Sequence, residues 1–205
     1  MGTKAKTRLI TDRWEITVSD LTDLIDANPS LRGMLLGYLG ERKLREMWFT
    51  DNRVGDVKKY DDHDRRKKGD LSFVYKGVEV RAEVKSLQTN TVKKTADGWK
   101  ASFQCDASDK RPVRLPNGQS VATTCLVVNE FDLLAVNMFQ FGERWQFAFA
   151  RNKDLPRTTS NRYTAVQQKY LLKTLMPITL PLQHPYRDEP FALLDEIARE
   201  KRGGS

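Results

Sequence analysis

The chain runs to 205 residues, 39% hydrophobic and 30% charged, which is the length of one domain with enough apolar material for a core and excludes a wholly disordered chain. Two cysteines (Cys105, Cys125) and two histidines (His63, His184) exclude a disulfide framework and a metal site built mainly from thiolates or imidazoles. Thirty-five basic residues against 27 acidic ones leave a net charge of +8, which suits a polyanionic partner, and no stretch approaches the ~18 consecutive apolar residues of a membrane span.

In chain order, Leu9–Val18 mixes apolar and charged residues and reads as a short strand or an arm. Ser19 is a suitable N-cap for a first helix, with Asp20 and Asp23 at its positive end and Asn28-Pro29 at its close. A second helix is expected from Pro29 or Ser30 to about Phe49, with Leu31, Met34, Leu35, Tyr38 and Leu39 as its apolar face. Gly33, Gly37 and Glu41 share one stripe of that helix. Each glycine costs ~1 kcal/mol against alanine, so the bare track suggests close approach of a backbone or a ligand, or tight helix–sheet packing. Residues 50–69 read as a loop.

Asp70–Tyr75 and Val78–Leu87 then form a hairpin about Lys76-Gly77. Val78, Val80, Ala82 and Val84 point one way; Glu79, Arg81, Glu83 and Lys85 point the other. Residues 88–100 read as a polar, basic loop, Ser102–Ala107 as a short strand, and Asp109–Gly118 as a turn-rich excursion holding two prolines. Val121–Val128, Phe131–Val136 and Trp145–Ala150 read as strands, and residues 154–162 as a polar loop. Tyr163–Leu175 and Phe191–Lys201 read as helices. The order implies a single α/β domain over residues 1–202, a central mixed sheet of four to five strands flanked by helices. Gly203-Gly204-Ser205 reads as a flexible tail or a cloning scar, and the N-terminus lacks the apolar core of a secretory signal, so a cytoplasmic location is expected.

One constellation carries chemistry. Asp70 opens one strand of the hairpin, and Glu83 and Lys85 share a face of the other. Two carboxylates can hold Mg²⁺, with waters filling its octahedron, and a neighbouring lysine can orient or deprotonate a metal-bound water and stabilise developing charge. That inventory serves phosphodiester hydrolysis without histidine, cysteine or an organic cofactor. A hairpin with charged solvent faces is the ordinary alternative for the same letters.

With Gly69-Asp70 before the hairpin, Glu83-Val84-Lys85 on its second strand, Gly40-Glu41-Arg42 on the preceding helix and Phe103-Gln104 on the next strand, the sequence resembles the PD-(D/E)XK nuclease superfamily. That superfamily supplies the fold of many type II restriction endonucleases and of some repair nucleases. The resemblance spans roughly residues 30–150 and departs at Gly69, where a proline is common; residues 156–205 match no one subfamily. It implies a restriction-endonuclease-like core and metal ligation by Asp70, Glu83 and the Val84 carbonyl. Lys85 would activate water, Glu41 would act through a metal-bound water, and Gln104 would touch the attacked phosphate. Mg²⁺ is the expected ion, with Mn²⁺ able to substitute.

The charge distribution suits such an activity. Residues 51–114 carry +5 and residues 144–173 carry +6, separated by a segment of −3. Phosphate contacts are expected from Arg65, Arg66, Lys67, Lys68, Lys93 and Lys94, and base contacts from Arg111, Arg114, Arg157 and Arg162. The leading expectation is a Mg²⁺-dependent endonuclease on double-stranded DNA, of the site-specific type II restriction kind. It would act as a homodimer on a symmetric site, with a cognate methyltransferase in the same system. A repair, recombination or mobile-element nuclease of the same fold, and a non-catalytic DNA-binding module, are the alternatives.

Overall fold

The computed structural model describes residues 8–59 and 69–203. Three helices open the chain: α1 (Ile10–Trp14), α2 (Val18–Ala27) and α3 (Pro29–Trp48). Ten strands follow: β1 (Val54–Lys59), β2 (Leu71–Tyr75), β3 (Val78–Ser86), β4 (Lys93–Thr95), β5 (Gly98–Gln104), β6 (Asp106–Arg114), β7 (Ser120–Cys125), β8 (Leu133–Asn137), β9 (Phe147–Arg151) and β10 (Leu175–Leu180). A four-residue helix α4 (Ala165–Gln168) precedes β10, and α5 (Phe191–Gly203) closes the description.

The central sheet has five strands in the order β1-β2-β3-β8-β9. It is mixed: β3 and β8 run parallel, and the other neighbours are antiparallel. The β2–β3 hairpin turns on Lys76 (φ 49°) and Gly77 (φ 76°), the pair of left-handed conformations that a two-residue turn matching strand twist requires. Alternation along β3 divides the interior. Val80, Ala82 and Val84 join a cluster with Leu44 of α3 and Leu193, Leu194 and Ile197 of α5, so both helices cover that face. The opposite face packs on a three-stranded sheet, β10-β5-β4, through Ala101, Phe103, Leu134, Val136, Met176 and Ile178. The β6–β7 ribbon is a separate two-stranded sheet whose inner side rests on Leu115, Val127 and Leu171.

Several expectations change. Leu9–Val18 holds a short helix, Ile10–Trp14, rather than a strand, and the cap of α2 is Thr17, not Ser19: the Thr17 hydroxyl accepts from Asp20 N while the Asp20 carboxylate accepts from Thr17 N. Residues 50–69 hold an edge strand, β1, paired with β2 across a register shift. Residues 88–100 contain β4 and the start of β5, and the excursion at 109–118 is mostly β6. The helix expected over Tyr163–Leu175 shrinks to one turn, and β10 begins where it was to end. On α3, Met34, Tyr38 and Leu39 are largely exposed; the side toward the sheet is Gly40 and Leu44. A Cβ at Gly33 or Gly37 would meet nothing within 4 Å, whereas one on Gly40 would lie 2.9 Å from Asn137 Nδ2. The close approach therefore falls one turn later than the glycine stripe suggested.

Candidate active site

The β2–β3 hairpin brings Asp70, Glu83, Val84 and Lys85 together. Asp70 stands just before β2, held by its own N–H, which donates to the Ala82 carbonyl at 2.9 Å. Its carboxylate reaches one pleat further: Val84 N donates to Asp70 Oδ2 at 2.7 Å. Strand geometry explains the contact. Leu71 is the first β2 residue paired with β3, opposite Ala82, so beyond Ala82 the β3 edge facing β2 has no strand partner among the described residues. Val84, two residues on, presents its N–H and C=O to the same edge as Ala82. Asp70 caps the N–H, and the carbonyl lies along the same open edge.

Glu83 is 8% exposed and forms an ion pair with Lys85, Oε1 to Nζ at 2.7 Å. Burial pushes the Glu83 carboxyl up to about 7; the Lys85 ammonium opposes that rise and the Asp70 and Glu130 charges add to it. For Lys85, burial disfavours the ammonium, but Glu83 and Asp70 more than offset it and hold the amine above its ordinary value. Lys85 is therefore protonated at neutral pH and neutralises a pocket that would otherwise hold two crowded carboxylates. Cys105, fully buried after β5, lies in the same field, and burial foremost pushes its thiol up to about 12, which leaves it an inert core group.

Glu41 stands elsewhere. It pairs with Lys59 of β1 at 2.7 Å, and its helix covers the Val84 face of the sheet, opposite the face that carries Glu83 and Lys85. Gln104, exposed at the end of β5, accepts from Gln88 Nε2 at 3.3 Å and donates to Asp106 Oδ2 at 3.2 Å. The bridge between Leu87 and Phe103 ties the end of β3 to β5 and so brings this polar trio to the same end of the sheet.

The expected DNA contacts separate into two groups. Lys93 and Lys94 are exposed on β4, Arg114 at the end of β6, and Arg162 in the following loop. Arg111 is drawn inward, donating to the Glu130 carboxylate and to the Cys125 carbonyl. Arg157 donates to the carbonyls of Lys153, Leu155 and Lys169. Arg65, Arg66, Lys67 and Lys68 lie outside the described residues.

Two residues that engage the expected site residues, Glu130 beside Glu83 and Lys59 beside the distant Glu41, were not singled out in the sequence. Glu130 acts electrostatically on Glu83, accepts from Val127 N at 2.8 Å and pairs with Arg111. Its only sequence signal is an acid in a basic protein, just after the turn-favouring Asn129. Lys59, the partner of Glu41, sits on the edge strand that composition read as a loop.

The donor set suits a hard divalent cation. Among the described residues no three His, Cys, Asp or Glu side chains converge at metal-binding spacing, so the oxygens on offer are two carboxylates and a peptide carbonyl. Mg²⁺ characteristically takes one or two carboxylates and keeps several waters. No helix among the described residues is long and apolar enough to cross a membrane. No family model and no curated protein matches the chain. Among solved structures, a bacterial homing endonuclease is similar at 15% identity and a TM-score of 0.39, over 86% of this chain and 97% of that one.

Proposed function

We propose that the protein is a Mg²⁺-dependent endonuclease that hydrolyses phosphodiester bonds of double-stranded DNA, with the PD-(D/E)XK arrangement as its site and site-specific restriction as its role. One observation carries the reading. Asp70 caps the Val84 N–H on an open strand edge, beside a buried Glu83–Lys85 pair, so two carboxylates, a peptide carbonyl and an ammonium meet at one end of the hairpin. Asp70, Glu83 and the Val84 carbonyl would hold the ion. The chemistry supplied by a bound Mg²⁺ is neutralisation of the scissile phosphate and acidification of an attacking water. Lys85, already protonated and fixed by Glu83, donates to the attacked phosphate or orients the water, and its charge favours the developing pentacovalent anion. Arg114, Lys93 and Lys94 stand in the open to meet the duplex.

The test is incubation with mixed-sequence plasmid and Mg²⁺, with and without chelator. Wild type should give discrete bands that chelator abolishes. Asp70→Ala and Glu83→Ala should bind DNA yet lose cleavage, and Lys85→Ala should lose ~10²–10⁴-fold in turnover. Smearing or nicking would move the role to repair or recombination, and a gel shift without cutting by wild type would sink the catalytic reading.

A further inference from the structure

The β6–β7 ribbon has two unlike faces. Arg111 pairs with Thr123, Pro112 with Ala122, Val113 with Val121 and Arg114 with Ser120, and directly opposed residues share a face. Arg111, Val113, Val121 and Thr123 turn inward. Arg111 donates to the Glu130 carboxylate, Thr123 shares a 2.7 Å hydrogen bond with the Tyr163 hydroxyl, and the two valines pack on Leu115, Cys125, Val127 and Leu171. Pro112, Arg114, Ser120 and Ala122 turn outward and are exposed. A two-stranded ribbon is marginal alone, but this one is pinned from behind. Its free face carries three small side chains and an arginine. No carboxylate stands among them. Neither Arg114 nor Lys110, exposed in the bulge between Asp106 and Arg111, forms an ion pair or side-chain hydrogen bond with a described residue, and Asp109 in that bulge is already engaged within the chain.

Building on the DNA-nuclease reading above, we infer that the ribbon lays this face in the major groove of the duplex, where Ser120, Ala122 and Arg114 meet base edges and select the sequence that is cut. The dimensions fit. A major groove about 12 Å wide admits a two-stranded ribbon, and a minor groove of about 6 Å does not. Small side chains on the leading face let the strands come close to the bases. A serine hydroxyl can bond to either kind of edge, an alanine methyl suits the thymine methyl, and an unpaired arginine suits guanine O6 and N7. The deep, narrow major groove of duplex RNA would shut the ribbon out. The position fits as well. β6 starts at Asp106, which accepts from Gln104 at the end of the sheet that carries Lys85. Opposite Asp106 stands Cys125, five residues from Ser120, so the face extends roughly 17 Å from that point, about five base-pair rises.

The test uses the full chain in Ca²⁺. Wild type selects its preferred duplex from a random pool, and binding to that duplex and to random DNA is then compared. Ala122→Leu, which holds the strands off the bases, and Arg114→Ala should each lose about five- to a hundredfold on the selected duplex and less than about threefold on random DNA, with unchanged circular dichroism. Methylation of guanine N7, in the major groove, should block binding at positions within about ten base pairs of the cut, and methylation of adenine N3, in the minor groove, should not. Interference confined to the minor groove overturns the proposal, as does full discrimination by both variants. Wild type that cuts DNA with no sequence preference overturns the ribbon's role and leaves the nuclease reading standing. Wild type that binds no duplex overturns both.

Discussion

Glu83 shows most sharply what the fold demands of a single side chain. Its carboxyl is desolvated under the second sheet and pushed up to about 7 from 4.5, so it favours the proton in the folded state over the unfolded one. The sign follows. A folded-state pKa raised above the unfolded value gives a contribution that is complete below pH 4.5 and is lost as pH rises through about 7, on the order of 3 kcal/mol across that window. Lys85 keeps its proton throughout, so it adds no slope there. Wild type should therefore lose stability between pH 5 and 8 relative to Glu83→Gln, whose amide does not titrate. Denaturant midpoints for the two proteins at both pH values make the comparison. Parallel pH profiles would mean that Glu83 is ionised without strain and that burial does not crowd the site. A divalent ion should flatten the wild-type profile and leave that of Glu83→Gln largely unmoved, because the ion takes over the neutralisation the proton otherwise supplies.

At the level of elements, α3 meets the sheet through a glycine, and that contact sets how close the helix lies. Asn137, buried at the end of β8, donates from Nδ2 to Ser86 Oγ at 3.2 Å and to the Leu36 carbonyl at 3.5 Å. A Cβ at Gly40 would press on that same nitrogen at 2.9 Å. Gly40→Ala should thus cost ~1–3 kcal/mol from overpacking, while Gly33→Ala, in open space, should be neutral or gain up to ~1 kcal/mol of helix propensity. Thermal melts of both variants check the contrast, and equal melts would remove Gly40 as the contact point. A glycine stripe is visible in the sequence, but not which glycine matters, because helical spacing gives a face and not what lies opposite it. The hairpin was legible for the converse reason: Lys76-Gly77 and the alternation along Val78–Lys85 are local signals, and they alone assemble Asp70, Glu83 and Lys85. Strands that alternation could not reveal are edge or ribbon strands. β1 is exposed at four of six positions, β4 is three residues long, and β6 is charged and contains Pro112. β10 holds Pro177 and pairs only with β5, an edge position where a missing N–H is tolerated. Its first residues continued an apparently helical run, and only the pairing of Leu175 with Gln104 assigns them to a strand.

Over the whole molecule, the excess of basic residues divides by what each cation touches, and that division predicts how binding responds to salt. Arg157 spends its guanidinium on three backbone carbonyls, and Arg111 spends its own on Glu130 and Cys125 O. Such groups hold loops in place. Lys93, Lys94 and Arg114 are exposed on β4 and the β6–β7 ribbon, where they can displace counterions from a phosphate backbone. The sequence expected phosphate contacts of Lys93 and Lys94 and base contacts of Arg111, Arg114 and Arg157, but charge and loop-like composition do not show whether a side chain turns inward. Removing one phosphate contact should flatten the slope of log K against log salt by ~0.9, so Lys93→Ala/Lys94→Ala should lower it by about 1.8 on any duplex. Arg114→Ala should weaken one preferred sequence more than random DNA if the guanidinium reaches a guanine, a discrimination worth ~1–3 kcal/mol, and should act like a lysine change if it meets only phosphate. Arg157→Ala should leave the slope intact and instead lower stability by ~1 kcal/mol, because it strips a donor from the partly buried Leu155 carbonyl and two from exposed ones. Salt-titrated binding to random and selected duplexes, with Ca²⁺ replacing Mg²⁺ to suppress cutting, reads the slopes, and denaturant melts read the stability. A slope change for Arg157→Ala equal to that of the β4 pair would mean that the loop after β9 lies on the DNA, and the duplex would have to be moved from the ribbon to that side of the molecule.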